Sequence, residues 1–253
     1  MKKRALGIYA ALALVFLHVP LAVLVVFSFN KGRFTVWEGF SLHWYSAALN
    51  DPQLAEGLLN SVIIAIVASV LATVIGTMAA YGMWKRSARV LEGGMLLSLV
   101  TPEIVTGVSL LALFQWAFRF LHLQLGMYTV IIAHVAFSIA YVMIVVSARL
   151  RGLDRSLEEA AMDLGAGPWR AFFRATLPGI LPAVIAAGLL ALVVSFDDYV
   201  ITSLVAGVDS ETLPMVIYAM ARRGVSPMVN AVSALILVLF GALIVLAERL
   251  REQ

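Results

Sequence analysis

The chain contains no cysteine. That absence excludes a disulfide framework, a thiolate metal site and a cysteine nucleophile. Charge is scarce too: Asp, Glu, Lys and Arg make up 13% of the 253 residues, against about 25% in soluble globular domains. No G-x4-G-K-[ST] phosphate loop occurs, so the sequence offers no nucleotide motor of its own. No H-E-x-x-H motif and no nucleophile–base constellation supports an intramembrane enzyme. Internal repeats and low-complexity linkers are also missing, and residues 1–253 read as one domain.

What is present is apolar. Hydrophobic residues reach 62% and the mean hydropathy is +0.97. A water-soluble core of this size would leave too much apolar surface uncovered, so the composition points to an integral membrane protein. A spanning helix needs about 20 mainly apolar residues. Six runs qualify: Gly7–Phe29, Leu58–Trp84, Gly94–Phe118, Met127–Ala148, Gly179–Ala206 and Met228–Ala247. Long unbroken runs predict helices, because barrel strands alternate apolar and polar residues. The first run is too long for a signal h-region and lacks a convincing cleavage site, so it reads as an uncleaved span.

Six spans put both termini on one side. That side carries Lys2, Lys3, Arg4, Lys85, Arg86, Arg89, Arg149, Arg151, Arg155, Arg170, Arg174, Arg249 and Arg251. The other carries Lys31, Arg33, Arg119, Arg222 and Arg223. The positive-inside rule then predicts cytoplasmic termini and a cytoplasmic loop over about 149–178. The outer loop after the first span is rich in aromatics. It reads as an interfacial belt, or as a surface that receives a partner or lines an entrance, with Trp37, Trp44 and Tyr45 as candidates.

The cytoplasmic loop is the longest polar stretch of the chain. Ser156-Leu157-Glu158-Glu159 matches a capping box, in which Ser156 caps a helix starting at Leu157 and Glu159 reaches back to the serine amide. Gly165 suits the position after the helix, where φ is positive. Pro168 suits the first turn of a second short helix. The loop is therefore predicted to be helix, elbow, helix. Ala160 and Ala161 keep its surface low enough for another chain to approach closely.

Carboxylates within a span need a reason, because a charge at the centre of a lone spanning helix costs about 2.5–3.5 kcal/mol. Glu103 lies about nine residues into the third run, near 14 Å at 1.5 Å per residue, and follows Pro102. Interrupted helix at that depth is tolerated where it is buried in protein or lines a watery cavity. Glu103 is thus a candidate for a translocation path. Asp197 and Asp198 lie in the outer half of the fifth run. Adjacent helical residues point about 100° apart, so one can face a lumen while the other bonds protein. Either can be the one in the path; equally, both can be contacts between helices, or the helix can break here and leave them in interfacial water. His18 and His134 have no ligand partner at helical spacing and read as structural hydrogen-bonding groups.

The glutamate, alanines, glycine and Leu-Pro of the loop stand in a specific register. EAAMDLG, nine residues, then ATLP resembles the EAA loop of ABC importer permeases, EAA-x3-G-x9-I-x-LP. Glu159, Ala160, Ala161, Gly165, Leu177 and Pro178 match, while Ala175 replaces the isoleucine. FSFN, TPEIVTGVSLL, SFDDYVITS, TLPMVIY and GVSPMVNA extend the resemblance over most of the chain to spermidine/putrescine permeases, the second permease of the pair among them. The resemblance implies the type I ABC importer permease fold: six transmembrane helices and a cytoplasmic coupling helix that docks on an ATPase. It implies an inner-membrane location and a second permease, two ATPase copies and an extracytoplasmic polyamine-binding protein as partners, with lipid around the spans and no nucleic acid. It also implies no cofactor in this chain, since ATP and Mg would be used by the ATPase. Three carboxylates suit a polyammonium cargo. Rival readings are the same machine carrying iron or an organophosphonate, and a stand-alone secondary transporter. The lack of an evident inverted repeat argues against the latter.

Overall fold

The computed structural model describes residues 2–32, 36–86, 89–121, 123–224 and 227–251. Arg33 of the outer loop and Val225 and Ser226 of the GVSPMVNA stretch lie outside the described residues. Among the described residues the fold is all-helical apart from one isolated bridge between Asn30 and Phe40. The helices group into two compact units, Met1–Glu56 with Val216–Gln253, and Gly57–Met215.

In the first unit, α1 (Lys2–Phe27) runs through Pro20 and leaves its apolar side chains exposed, as a lipid-facing span does. It touches α12 (Pro227–Arg251), which also packs on a short helix, α2 (His43–Leu49). The turn between α1 and α2 is organised by buried Asn30. Its Nδ2 donates to the Val36 carbonyl (2.7 Å) and its Oδ1 accepts from the Glu38 amide (2.9 Å).

The second unit holds most of α3 (Pro52–Lys85), then α4 (Arg89–Val100), α5 (Glu103–Leu121) and α6 (Met127–Arg151). The loop helices α7 (Ser156–Asp163) and α8 (Pro168–Ala171) follow. A π-helical turn, Phe172–Thr176, leads into α9 (Leu177–Asp197) and α10 (Val200–Val205). Helix α11 (Leu213–Arg222) begins at the end of this unit. In lipid, helices gain little from apolar burial against one another, so small residues that allow close backbones decide the contacts. Ala68, Ala72, Gly76 and Ala80 recur every fourth residue along α3, with the three alanines fully buried. A Cβ on Gly76 would lie 2.8 Å from Val142 of α6. Ala187 and Ala191 of α9 join the same core, with Val142, Val146 and Ile180. Two buried polar groups of α3 bond to the segment before and at the start of α11: Asn60 donates to the Glu211 carbonyl (2.9 Å), and Ser61 accepts from the Leu213 amide (2.9 Å).

Five of the described helical segments are long and apolar enough to cross a membrane, and Pro227–Gly241 of α12 forms a shorter apolar one. The expected interruption at Pro102 is a full break, and two other local expectations are corrected. The third run is two helices, broken at Thr101–Pro102, because proline lacks an N–H and pushes its predecessor out of the helical region. The fifth run stops at Asp197 and restarts at Val200. The capping box does not form. Helix α7 begins at Ser156 after Arg155, without a side-chain cap, and the Ser156 amide donates instead to Asp154 Oδ1 (2.9 Å).

Candidate functional site

The two helix breaks face one another across a cavity of about 530 Å³ in the second unit, with Phe137 and Tyr141 of α6 in its lining. On one wall, α4 ends where Pro102 ends it. Thr101 Oγ1 donates back to the Leu97 carbonyl (2.7 Å). Helix α5 restarts with Glu103 in its first turn, where the helix dipole favours an acid. On the opposite wall, Asp198 takes an extended backbone (φ −66°, ψ 126°) and ends α9.

The adjacent aspartates separate cleanly. Asp198 is turned into the protein, its side chain only 6% exposed. Its carboxylate accepts the amides of Ile201 (3.3 Å) and Thr202 (2.8 Å) at the start of α10, and the Thr202 hydroxyl (2.7 Å). His134 of α6 binds both sides of the break: Nδ1 meets Ser195 Oγ at 2.7 Å and Nε2 meets Thr202 Oγ1 at 2.9 Å. Nε2 also lies 3.4 Å from Asp198 Oδ2. The Thr202 hydroxyl has one proton and gives it to Asp198, so Nε2 of His134 is the protonated nitrogen. In the neutral ring, Nδ1 then accepts from Ser195. Asp197, by contrast, is exposed in the cavity. Neither it nor Glu103 has a hydrogen bond or ion pair among the described residues. Two unpartnered carboxylates lining one polar cavity can hold a multiply charged cation that has shed part of its hydration.

At the loop, Gly165 has φ +87°, and its surroundings form a Schellman stop. The Gly165 amide donates to Met162 (2.9 Å) and the Ala166 amide to Ala161 (3.0 Å). Pro168 opens α8. Glu159, Ala160, Gly165 and Pro178 are exposed, and Ala161 and Leu177 are half-buried. Ala175, where the EAA pattern has isoleucine, is half-buried too.

The residue that fixes the elbow is one that sequence reasoning passed over. Glu158 is fully buried. Its Oε1 accepts from Tyr81 Oη (2.6 Å) and Lys85 Nζ (2.6 Å), and its Oε2 from Thr176 Oγ1 (2.7 Å). Burial pushes the Glu158 carboxyl upward. The hydrogen bonds from Lys85, Tyr81 and Thr176, with the Lys85 charge, outweigh it and hold the pKa below the ordinary value. Asp154 is also held low, by the amide and hydroxyl of Ser156. The available clue was that Tyr81 and Lys85 stand four apart at the end of the second run, on one helix face.

Trp44 and Tyr45 belong to the first unit. Tyr45 Oη shares a hydrogen bond with Ser28 Oγ (2.6 Å), and its ring lies 5.2 Å from Phe29. Trp44 is half-buried, and its Nε1 has no partner among the described residues.

Comparison with known proteins gives concordant matches. The family described as binding-protein-dependent transport system inner membrane component matches residues 72–252. The chain is 43% identical over 233 residues to the putrescine transport system permease protein PotI of Escherichia coli K12, covering 89% of this chain and 83% of that protein. It is 38% identical over 237 residues to the spermidine/putrescine transport system permease protein PotC of Haemophilus influenzae, covering 92% and 91%. Among solved structures, a bacterial ABC transporter involved in import of the acidic polysaccharide alginate superposes with a TM-score of 0.66 at 16% identity, covering 100% of this chain and 97% of that one. An amino acid ABC transporter follows at 0.55 and 20% identity, covering 83% and 99%. These two share the fold.

Proposed function

The chain belongs to the binding-protein-dependent transport system inner membrane component family, and from that premise we propose that it is the permease subunit of an ATP-driven importer carrying a polyamine. The observation that carries the cargo reading is the pair of carboxylates, Glu103 and Asp197, unpartnered in one cavity between two broken helices. A polyammonium ion entering that cavity exchanges hydration for two fixed negative charges, and broken helix at this depth is the usual place for such a site. The names of the similar proteins, putrescine and spermidine/putrescine permeases, point the same way.

The chain works with a second permease, two ATPase copies and an extracytoplasmic binding protein. ATP and Mg are handled by the ATPase, not here. Both termini and the 149–178 loop face the cytoplasm by the charge count. The exposed face of α7, with Glu159, Ala160 and Ala161, meets the ATPase, and Gly165, Leu177 and Pro178 set the angle at which that push reaches α9. Substrate passes Asp197 first and Glu103 next. Asp198 serves the path indirectly, by holding the break that presents Asp197. An organophosphonate would be repelled by the same carboxylates, which leaves an iron cation as the rival cargo.

Saturation of putrescine and spermidine uptake in Glu103→Gln and Asp197→Asn variants tests this. Each neutral variant should raise KM about tenfold, the worth of one lost charged contact, with assembly intact. Unchanged kinetics in both would remove the carboxylates from the path. Ferric-ion uptake that saturates while polyamines fail to compete would replace the cargo.

A further inference from the structure

A second cavity, of about 340 Å³, lies where the ends of α3 and α6 meet α4, away from the carboxylate pair. Three cations line it: Lys85, Arg151 and Arg155. Two of them share one aromatic ring. Lys85 Nζ lies 5.7 Å and Arg155 Cζ 4.9 Å from the Trp84 ring centre. Lys85 is matched by Glu158 (2.6 Å), and Arg155 donates to the Trp84 carbonyl, a neutral partner. Arg151 has no hydrogen bond or ion pair among the described residues. Among the described residues no carboxylate appears in the lining. Among those residues the site gathers three positive charges against the one negative charge of Glu158.

A fourth group needs a partner. Ser147 lines the same cavity, and its Oγ, shielded from solvent, has no hydrogen-bond partner among the described residues. A buried hydroxyl left unmade costs about 1–3 kcal/mol, so a rotation of this side chain toward an acceptor in the cavity would be favourable. Met83 of α3 and Met95 of α4 add an apolar part to the lining.

We propose that this cavity binds a phosphate-bearing anion, with the Arg151 and Arg155 guanidinium groups and the Ser147 hydroxyl as donors. Guanidinium forks match phosphate oxygens in pairs, and a basic pocket between spans on the cytoplasmic side suits an anionic lipid headgroup. The apolar Met83 and Met95 wall then receives the glycerol and first acyl carbons. A polyamine is excluded by charge, so this is not a second cargo site. Occupancy also bears on the elbow, because the same Lys85 that lines the cavity holds Glu158. The cytoplasmic orientation argued above matters only for which leaflet supplies the lipid.

The test is native mass spectrometry of the full chain with its co-purifying subunits, after exchange into phosphatidylglycerol or phosphatidylcholine. A parallel arm measures protection against thermal unfolding by millimolar inorganic phosphate. Wild type should retain phosphatidylglycerol over phosphatidylcholine. Arg151→Gln should cut that retention about tenfold, Ser147→Ala should cut it less, and the outer-side control Arg223→Gln should leave it unchanged. Phosphate protection lost in Arg151→Gln, without lipid preference, would assign the site to a soluble phosphate. Equal retention of both lipids together with no phosphate protection overturns the proposal, as does Arg151→Gln binding like wild type. The readout involves neither uptake nor ATP hydrolysis, so its failure leaves the transport reading standing.

Discussion

Two adjacent acidic pairs, Glu158–Glu159 and Asp197–Asp198, divide in the same way. In each, one carboxylate is buried and bonded to distant helices and the other is exposed. That one member must turn inward follows from 100° per residue. Which member does so was not legible, because the deciding partners Tyr81, Lys85 and His134 lie some sixty to eighty residues away in sequence. Glu158→Gln should destabilise the chain by about 2 kcal/mol, the scale of a charged hydrogen-bond set with one partly exposed member. The pH dependence has a definite sign. The folded pKa is lowered, so the stabilisation is complete above the ordinary carboxylate value and is lost as pH falls through the lower folded value. Thermal melts between neutral and acidic pH should show the wild type losing its advantage over Glu158→Gln in that window. A constant difference between the two would contradict the assignment.

At the scale of helices, the breaks matter most. The sequence pattern announced the third-run interruption through Pro102, whereas the one after Asp197 was only an alternative reading of the paired aspartates, with no proline to mark it. That second break is a polar construction, pinned by His134 bridging Ser195 on α9 and Thr202 on α10. His134→Leu leaves Asp198 buried without its ring partner and should cost about 3 kcal/mol, read as a lowered Tm. Disordered presentation of Asp197 should then raise KM for polyamine in whatever fraction folds. Glycines act at the same scale. Gly165 at φ +87° admits a side chain only with strain, and Gly165→Val should cost about 1–2 kcal/mol. Gly76→Leu forces α3 from α6 at Val142 and should cost about 1–3 kcal/mol. Either substitution leaving Tm unchanged would mean that the helix spacing is looser than the contacts indicate. The glycine elbow was readable because its rule is local. The capping box failed because Asp154 took the Ser156 amide, a competition between neighbouring acceptors that spacing alone does not settle.

At the scale of the whole molecule, an apolar permease carries a polar loop and, among the described residues, cavities lined by carboxylates and by cations. The long apolar runs and the EAA register made the class legible in the sequence. The surroundings of the carboxylates were only half legible, since a carboxylate's partners are set by tertiary contacts. Glu159→Lys on the exposed face of α7 should keep folding intact but lower the ratio of substrate moved to ATP hydrolysed by about tenfold, as expected of losing a charged docking contact. The central claim is that this chain is a passive conduit worked by a separate motor. Its most direct test is reconstitution in vesicles, with labelled putrescine outside and ATP or a proton gradient as the only energy source. The account predicts uptake that requires ATP, the ATPase and the second permease together, with none from this chain alone. Uptake by the chain alone, driven by the proton gradient, would contradict it.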